Sequence, residues 1–319
     1  MNKNRKGFLF ALVMMIAILI SGCGAVPSKG DKISVVCTNF PIYDWVREIV
    51  GSEYADRFDV TLLAGGGDIH NYQPTAKDIV TIQTCDLLIY VGGESDIWVE
   101  EIVKQNEINS IKLFDVLEGD LICSSDNHAH DHNHADGSYD EHIWLSLKLA
   151  GKSLDAICEK IVKLSSTSTV GEGETYRMNK ENYKSRLMEL DEQYAAAVNG
   201  LDDRIIILAD RFPFCYMTED YGIECIAAFS GCSAEQDVSF GVIAHLAESV
   251  DAYDKETILV LENSTQSVAN TVIESSKKNS VEIAVMDSCQ SIGEQEIANG
   301  ASYIEVMMEN LEALKKALQ

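Results

Sequence analysis

Short apolar runs alternate along this chain with amphipathic stretches of helical period. Residues 33–38, Ile-Ser-Val-Val-Cys-Thr, form a run that predicts a buried strand. Pro41 then opens a helix with Ile42, Trp45, Val46 and Ile49 on one face. A second strand at 58–63 leads into Gly65-Gly66-Gly67-Asp68-Ile69-His70, and a short helix at 75–82 begins just after Pro74. A third strand at 86–91 ends in Gly92-Gly93, a helix covers 96–103, and 110–116 reads as a fourth strand. Strands alternating with helices predict parallel strands with crossover helices.

The pattern then changes and restarts. Leu147, Ala150, Leu154, Ile157, Cys158, Ile161 and Val162 make one helical stripe, and a Ser/Thr/Gly break at 165–173 follows. Residues 174–197 mix charge with apolar positions and contain no Gly or Pro, which predicts one long helix. Further strands are expected at 204–208, 223–229, 257–261 and 281–286, with a closing helix at 302–318. The predicted fold is α/β: two lobes of (βα)4 type with parallel sheets, joined by one long rigid helix. The expected divisions are an amino-terminal lobe at 33–170, a connecting helix at 171–200 and a carboxyl-terminal lobe at 201–319.

The first residues do not fit this pattern. Lys3, Arg5 and Lys6 precede an almost wholly apolar run at 8–20 and then Ile20-Ser21-Gly22-Cys23. That is an export signal at 1–22 rather than a spanning helix. Small residues leading to a Cys resemble the lipobox of bacterial lipoproteins, which implies a lipid anchor on Cys23, a tether at 23–32 and a place on the outer face of the cell membrane. A net charge of −26 excludes the basic footprint that nucleic-acid binding needs. Export permits disulfides, but Cys37, Cys85 and Cys158 sit in apolar periodic segments and read as buried thiols.

Histidine carries the candidate chemistry. Five of seven lie between Ser124 and Ser146. His128, His130, His132 and His134 alternate with other residues in a polar loop at 124–141, so an extended backbone would place them on one side. This strip reads as a low-affinity metal collector, and His142 as a fixed donor where packed structure resumes. His245, inside a helical stretch, reads as an ordinary helix residue. His70 follows strand two, Glu262 ends a strand of the second half and Asp287 follows the last strand. Open parallel sheets bind ligands beyond the carboxyl ends of their strands, so residues from both halves can meet in one cleft. No HExxH is present, which argues against a zinc hydrolase.

These features together resemble the cluster A-I solute-binding lipoproteins of ABC transporters that import zinc or manganese. The resemblance rests on Asn39-Phe40-Pro41-Ile42, on Gly67-Asp68-Ile69-His70-Asn71-Tyr72-Gln73-Pro74 and on Asp140-Glu141-His142-Ile143-Trp144-Leu145-Ser146. The His-rich insertion, the long helix and Asp287 fit as well. It implies a monomer that holds one metal, Zn2+ or alternatively Mn2+, between its lobes through His70, His142 and Asp287, and passes it to a membrane permease. A third family histidine is implied near residue 211, where this chain has Arg211, which is no ligand. Asp210, Glu262, Cys232 and Cys289 are the candidates for a further donor. Cys232 and Cys289 also read as free thiols or as a disulfide, and Arg211 as the partner of Asp210, Glu262 or Asp287. Alternative readings are a surface adhesin with a structural metal and a family member whose cleft takes a metal chelate or an anion.

Overall fold

The computed structural model describes residues 32–122, 139–165, 171–229, 231, 238–278 and 280–319. Cys23, the strip of His128, His130, His132 and His134, and Cys232 lie outside the described residues.

The amino-terminal lobe is a parallel sheet of β1 (Ile33–Cys37), β2 (Phe58–Leu62), β3 (Leu87–Tyr90) and β4 (Ser110–Lys112), ordered β2-β1-β3-β4. Helix α1 (Phe40–Val50) starts where the sequence expects it, because Asn39 accepts the Ile42 amide at 3.1 Å and Pro41 occupies the first turn. Helix α2 (Ala76–Thr84) is closed by a reciprocal capping box between Thr75 and Asp78. Helix α3 (Ile97–Asn106) follows β3. The expected strand at 110–116 is shorter than its apolar run. It ends at Lys112, and Leu113–Val116 form a single helical turn with Leu113 and Phe114 buried. Periodicity does not separate strand from helix in so short a run.

Helix α4 (Leu147–Ser165) packs along α5 (Glu172–Val198), the predicted connecting helix. The buried positions of α5 include Tyr176, Lys180, Tyr183, Leu187, Leu190 and Tyr194, spaced alternately by four and three. One narrow stripe therefore packs while the rest faces water. The carboxyl-terminal lobe repeats the first design. Strands β5 (Ile205–Leu208), β6 (Glu224–Ala227), β7 (Thr257–Leu261) and β8 (Glu282–Met286) run parallel in the order β6-β5-β7-β8. Helices α6 (Cys215–Tyr221), α7 (Phe240–Ala252), α8 (Ser267–Ser275) and α9 (Tyr303–Ala317), with a short helical segment at Glu294–Ala298, flank this sheet, and His245 is an exposed residue of α7.

Residues Ile33–Gln319 form one compact unit. A single apolar cluster runs through both lobes, joining Val35, Trp45 and Trp144 to Leu208, Met286 and Tyr303. Polar contacts cross the same boundary. The Trp144 indole donates to the Ser288 carbonyl at 2.8 Å, the Tyr303 hydroxyl donates to the Trp144 carbonyl, and Ser146 Oγ donates to Asp220 at 2.6 Å. Tyr183 of α5 reaches Asp44 of α1, whose carboxylate also accepts the Tyr303 amide at the start of α9. A joint packed in this way resists wide hinge opening. Among the described residues no helix is long and apolar enough to cross a membrane.

Candidate metal centre

His70 and His142 arrive from separate segments and meet, their ring centroids 5.4 Å apart. The same local device delivers both. In Asp68-Ile69-His70 the Asp68 carboxylate accepts the His70 amide at 3.0 Å, and in Asp140-Glu141-His142 the Asp140 carboxylate accepts the His142 amide at 2.9 Å. Each aspartate closes a turn two residues on, which fixes where the imidazole leaves the backbone.

Carboxylates then fix the ring orientations. His142 Nδ1 lies 2.9 Å from Asp140 Oδ1, and His70 Nδ1 lies 3.0 Å from Glu141 Oε1. An ionised carboxylate only accepts, so each contact calls for a proton on Nδ1, and in the neutral ring the lone pair is then on Nε2. Ser95 holds Glu141 in place: its amide donates to Oε2 at 3.0 Å and its hydroxyl to Oε1 at 2.8 Å, while the same hydroxyl lies 3.1 Å from His70 Nδ1. Burial opposes the charge on Glu141, yet the hydrogen bond with His70, the two histidines and the Ser95 amide hold it below the ordinary carboxylate range. The Gly92-Gly93 pair has a physical reason here. Gly92 sits at φ 97, and a Cβ on Gly93 would collide with the Glu141 side chain. Beneath them Asp96 accepts from the Val91 and Gly92 amides, and burial pushes its carboxyl up to about 6.

The second lobe contributes acids. Asp287 follows β8, and its Oδ1 accepts the Cys289 amide at 2.6 Å, a third turn of the same kind. Its neighbour Ser288 is the residue held by Trp144, two positions after His142. Burial raises the Asp287 carboxyl, with the Glu309 charge adding to it. Burial and the neighbouring Asp287 push Glu262 up to about 7, although it accepts from the Ser288 amide at 2.9 Å and from the Ser288 hydroxyl. Among the described residues, no three His, Cys, Asp or Glu side chains are gathered closely enough to hold an ion. The structure brings His70 and His142 together and does not add Asp287 to that pair.

The remaining candidate donors brace the backbone or lie buried. Asp210 accepts its neighbour Arg211's amide at 2.9 Å and the Leu261 amide at 3.4 Å, and so braces a loop. Glu262 braces the turn after β8 through Ser288. Cys289 is a free, buried thiol at φ 61, raised well above the ordinary range by burial and then by Asp287 and Glu262. The expected partners of Arg211 need correction. Its guanidinium reaches Asp68 Oδ2 at 2.6 Å, across the cleft in the other lobe, rather than Asp210, Glu262 or Asp287. Sequence neighbourhood pointed to acids of its own lobe, and only the packing of the lobes brings Asp68 near. The orienting residues Asp140, Glu141 and Ser95 were not singled out from the sequence. The repeated Asp-x-His was the available signal for the first of these, whereas nothing local marks Ser95.

Residues 35–317 match the family described as zinc-uptake complex component A, periplasmic. The chain is 28% identical over 318 residues to the zinc-binding lipoprotein AdcA of Streptococcus pneumoniae, covering 98% of this chain and 61% of that protein. It therefore spans about three fifths of the length of that relative. It is 29% identical over 320 residues to the high-affinity zinc uptake system protein ZnuA of Bacillus subtilis, covering 94% of each. Among solved structures, the Zn(II)-bound ZnuA-like domain of S. pneumoniae AdcA superposes with a TM-score of 0.70 at 28% identity, over 90% of this chain and 98% of that one. The metal-dependent lipoprotein YcdH of B. subtilis gives 0.72 at 26% identity, over 90% and 100%. With its two like-ordered parallel sheets and long intervening helix, the chain belongs to the family of periplasmic zinc-uptake complex component A proteins.

Proposed function

We propose that this protein captures zinc outside the cytoplasm and delivers it to the membrane permease of an ABC importer, held at the membrane through a lipid on Cys23. The observation that carries the reading is the His70–His142 pair at the cleft, each Nδ1 set on a carboxylate so that Nε2 is the donor. Neutral imidazole with carboxylate suits tetrahedral zinc. Intrinsic affinity also ranks zinc above manganese at such donors. The names of the relatives point the same way. His70, His142 and Asp287 are the proposed ligands, with Asp287 brought in by a small lobe adjustment as the ion enters. The Asp287 charge is felt by Glu262, which makes Glu262 the proposed further partner for the ion's charge.

The test is zinc affinity of His70→Ala and His142→Ala at neutral pH by competition with a chelator. Each loses a direct donor and is expected to bind well over ~100-fold more weakly, beyond what loss of an orienting partner costs. Unchanged affinity in both rejects the assignment. Chelation separates cargo from a structural metal: the protein stripped of zinc is expected to keep its fold and its circular dichroism.

A further inference from the structure

The loop that carries His70 belongs to the first lobe, yet the second lobe holds it at two points. At the first, backbone meets backbone: a Cβ added to Gly293 would stand 2.7 Å from the Gly66 Cα, and Gly66 itself sits at φ 81. Gly293 has no room for a side chain as the lobes now stand, and at Gly66 the left-handed φ makes any side chain strained. At the second, Arg211 Nη1 lies 2.6 Å from Asp68 Oδ2. The other oxygen of that carboxylate accepts the His70 amide at 3.0 Å. One carboxylate thus links a cation of the second lobe to the backbone of the histidine. The two side chains are 30% and 24% exposed, so solvent screens them less than a surface pair. The guanidinium keeps its charge at every working pH.

We propose that Arg211 is a positioning residue for the metal site, acting through Asp68 to set the turn that presents His70. The inference deepens the reading of His70 as a zinc ligand and rests on it. Where the resemblance implies a third histidine, this chain has a strut that holds another ligand across the cleft. Two effects of removing Arg211 oppose each other. A positive charge near the site repels a cation, so by that effect alone its loss would tighten zinc binding. A strut that orders His70 favours binding, so its loss weakens it. The sign of the change separates the two.

The experiment uses the full chain with Arg211→Met, Arg211→Lys, Asp68→Asn and the double variant Arg211→Met/Asp68→Asn. Asparagine retains a side-chain oxygen for the His70 amide while removing the charge. Arg211→Met is expected to weaken zinc affinity by about 10- to 100-fold through faster release, as loss of an outer partner does. Arg211→Lys recovers part of the loss. The double variant loses no more than the worse single variant, because both remove one interaction. The visible absorption of the Co(II)-loaded protein shifts in Arg211→Met as His70 moves. Unchanged or tighter zinc binding in Arg211→Met, or fully additive losses in the double variant, overturns the proposal. Hydrogen exchange at the His70 and Asn71 amides of the metal-free protein supplies a readout independent of zinc. It is expected to quicken in Arg211→Met, and an unchanged rate also overturns the proposal. Should the unaltered chain bind no zinc, the functional reading fails, while the exchange rates still decide whether Arg211 holds the turn.

Discussion

The two lobes share one strand order, yet Glu141 and Asp68 of the first and Glu262 and Asp287 of the second are shifted in opposite directions. In the first lobe Glu141 and Asp68 are partly or wholly withdrawn from water and still lie below the ordinary carboxylate range. For both, burial works against the charge, and a basic partner outweighs it: His70 for Glu141, Arg211 for Asp68. In the second lobe Glu262 is pushed up to about 7, and Asp287 is raised as well. There burial is reinforced by a neighbouring acid, and hydrogen bonds from Ser288 and Cys289 only offset part of it. The first lobe uses its acids to aim donors. The second keeps Glu262 and Asp287 in surroundings that disfavour their charged forms.

The largest effects that could break this contrast come from the orienting acids. Asp140→Asn and Glu141→Gln keep the shape of the site and remove the charge that fixes each Nδ1 proton. Both are expected to weaken zinc binding by about 10- to 100-fold in chelator competition. If both variants bind as the parent does, the first-lobe acids are not aiming the rings. A smaller and more specific effect belongs to Glu262. With its carboxyl near 7, zinc must displace a proton from Glu262 that Glu141 and Asp68 have already lost, so affinity should climb as pH rises through 7 and level off above it. Glu262→Gln is expected to remove up to about tenfold per pH unit from that climb between pH 6 and 7, with correspondingly less proton release in titration calorimetry. Identical pH slopes would place Glu262 outside the ion's reach.

The last effect lies in the joint between the regions and bears on stability rather than on binding. Burial pushes Asp44 up to about 6, against the Tyr303 amide that it accepts. The folded chain then holds this proton more tightly than the unfolded chain. The contribution is full below about pH 4 and is lost as pH rises through about 6. Asp44→Asn is expected to flatten that part of the melting-temperature profile, worth ~3 kcal/mol at most. An unaltered slope between pH 4 and 6 would assign the titration to another group.

Much of the architecture could be read from the chain. Runs such as Ile-Ser-Val-Val-Cys and Thr-Ile-Leu-Val-Leu announce buried parallel strands because both of their faces are apolar. Asn39 before Phe40-Pro41, and Thr75 three residues before Asp78, mark helix starts by chemistry local to the backbone. The 110–116 segment went astray because a short apolar run lacks the length that tells strand from helix. At the site, His70 and His142 stood out by residue type and by their place in the chain, and Asp-x-His is visible there as a local turn.

The order of elements, the caps, the turns that aim both imidazoles and the identity of the chemical groups were determined by the sequence itself, because each depends on neighbours within a few residues. Which groups face one another was decided only by the tertiary structure. Glu141 reaches His70 across 71 positions, Asp68 takes Arg211 from the opposite lobe, and Trp144 ties itself to Ser288. Such contacts arise when two separately coded sheets bury a common apolar surface, and the energy of that burial has no local signature along the chain.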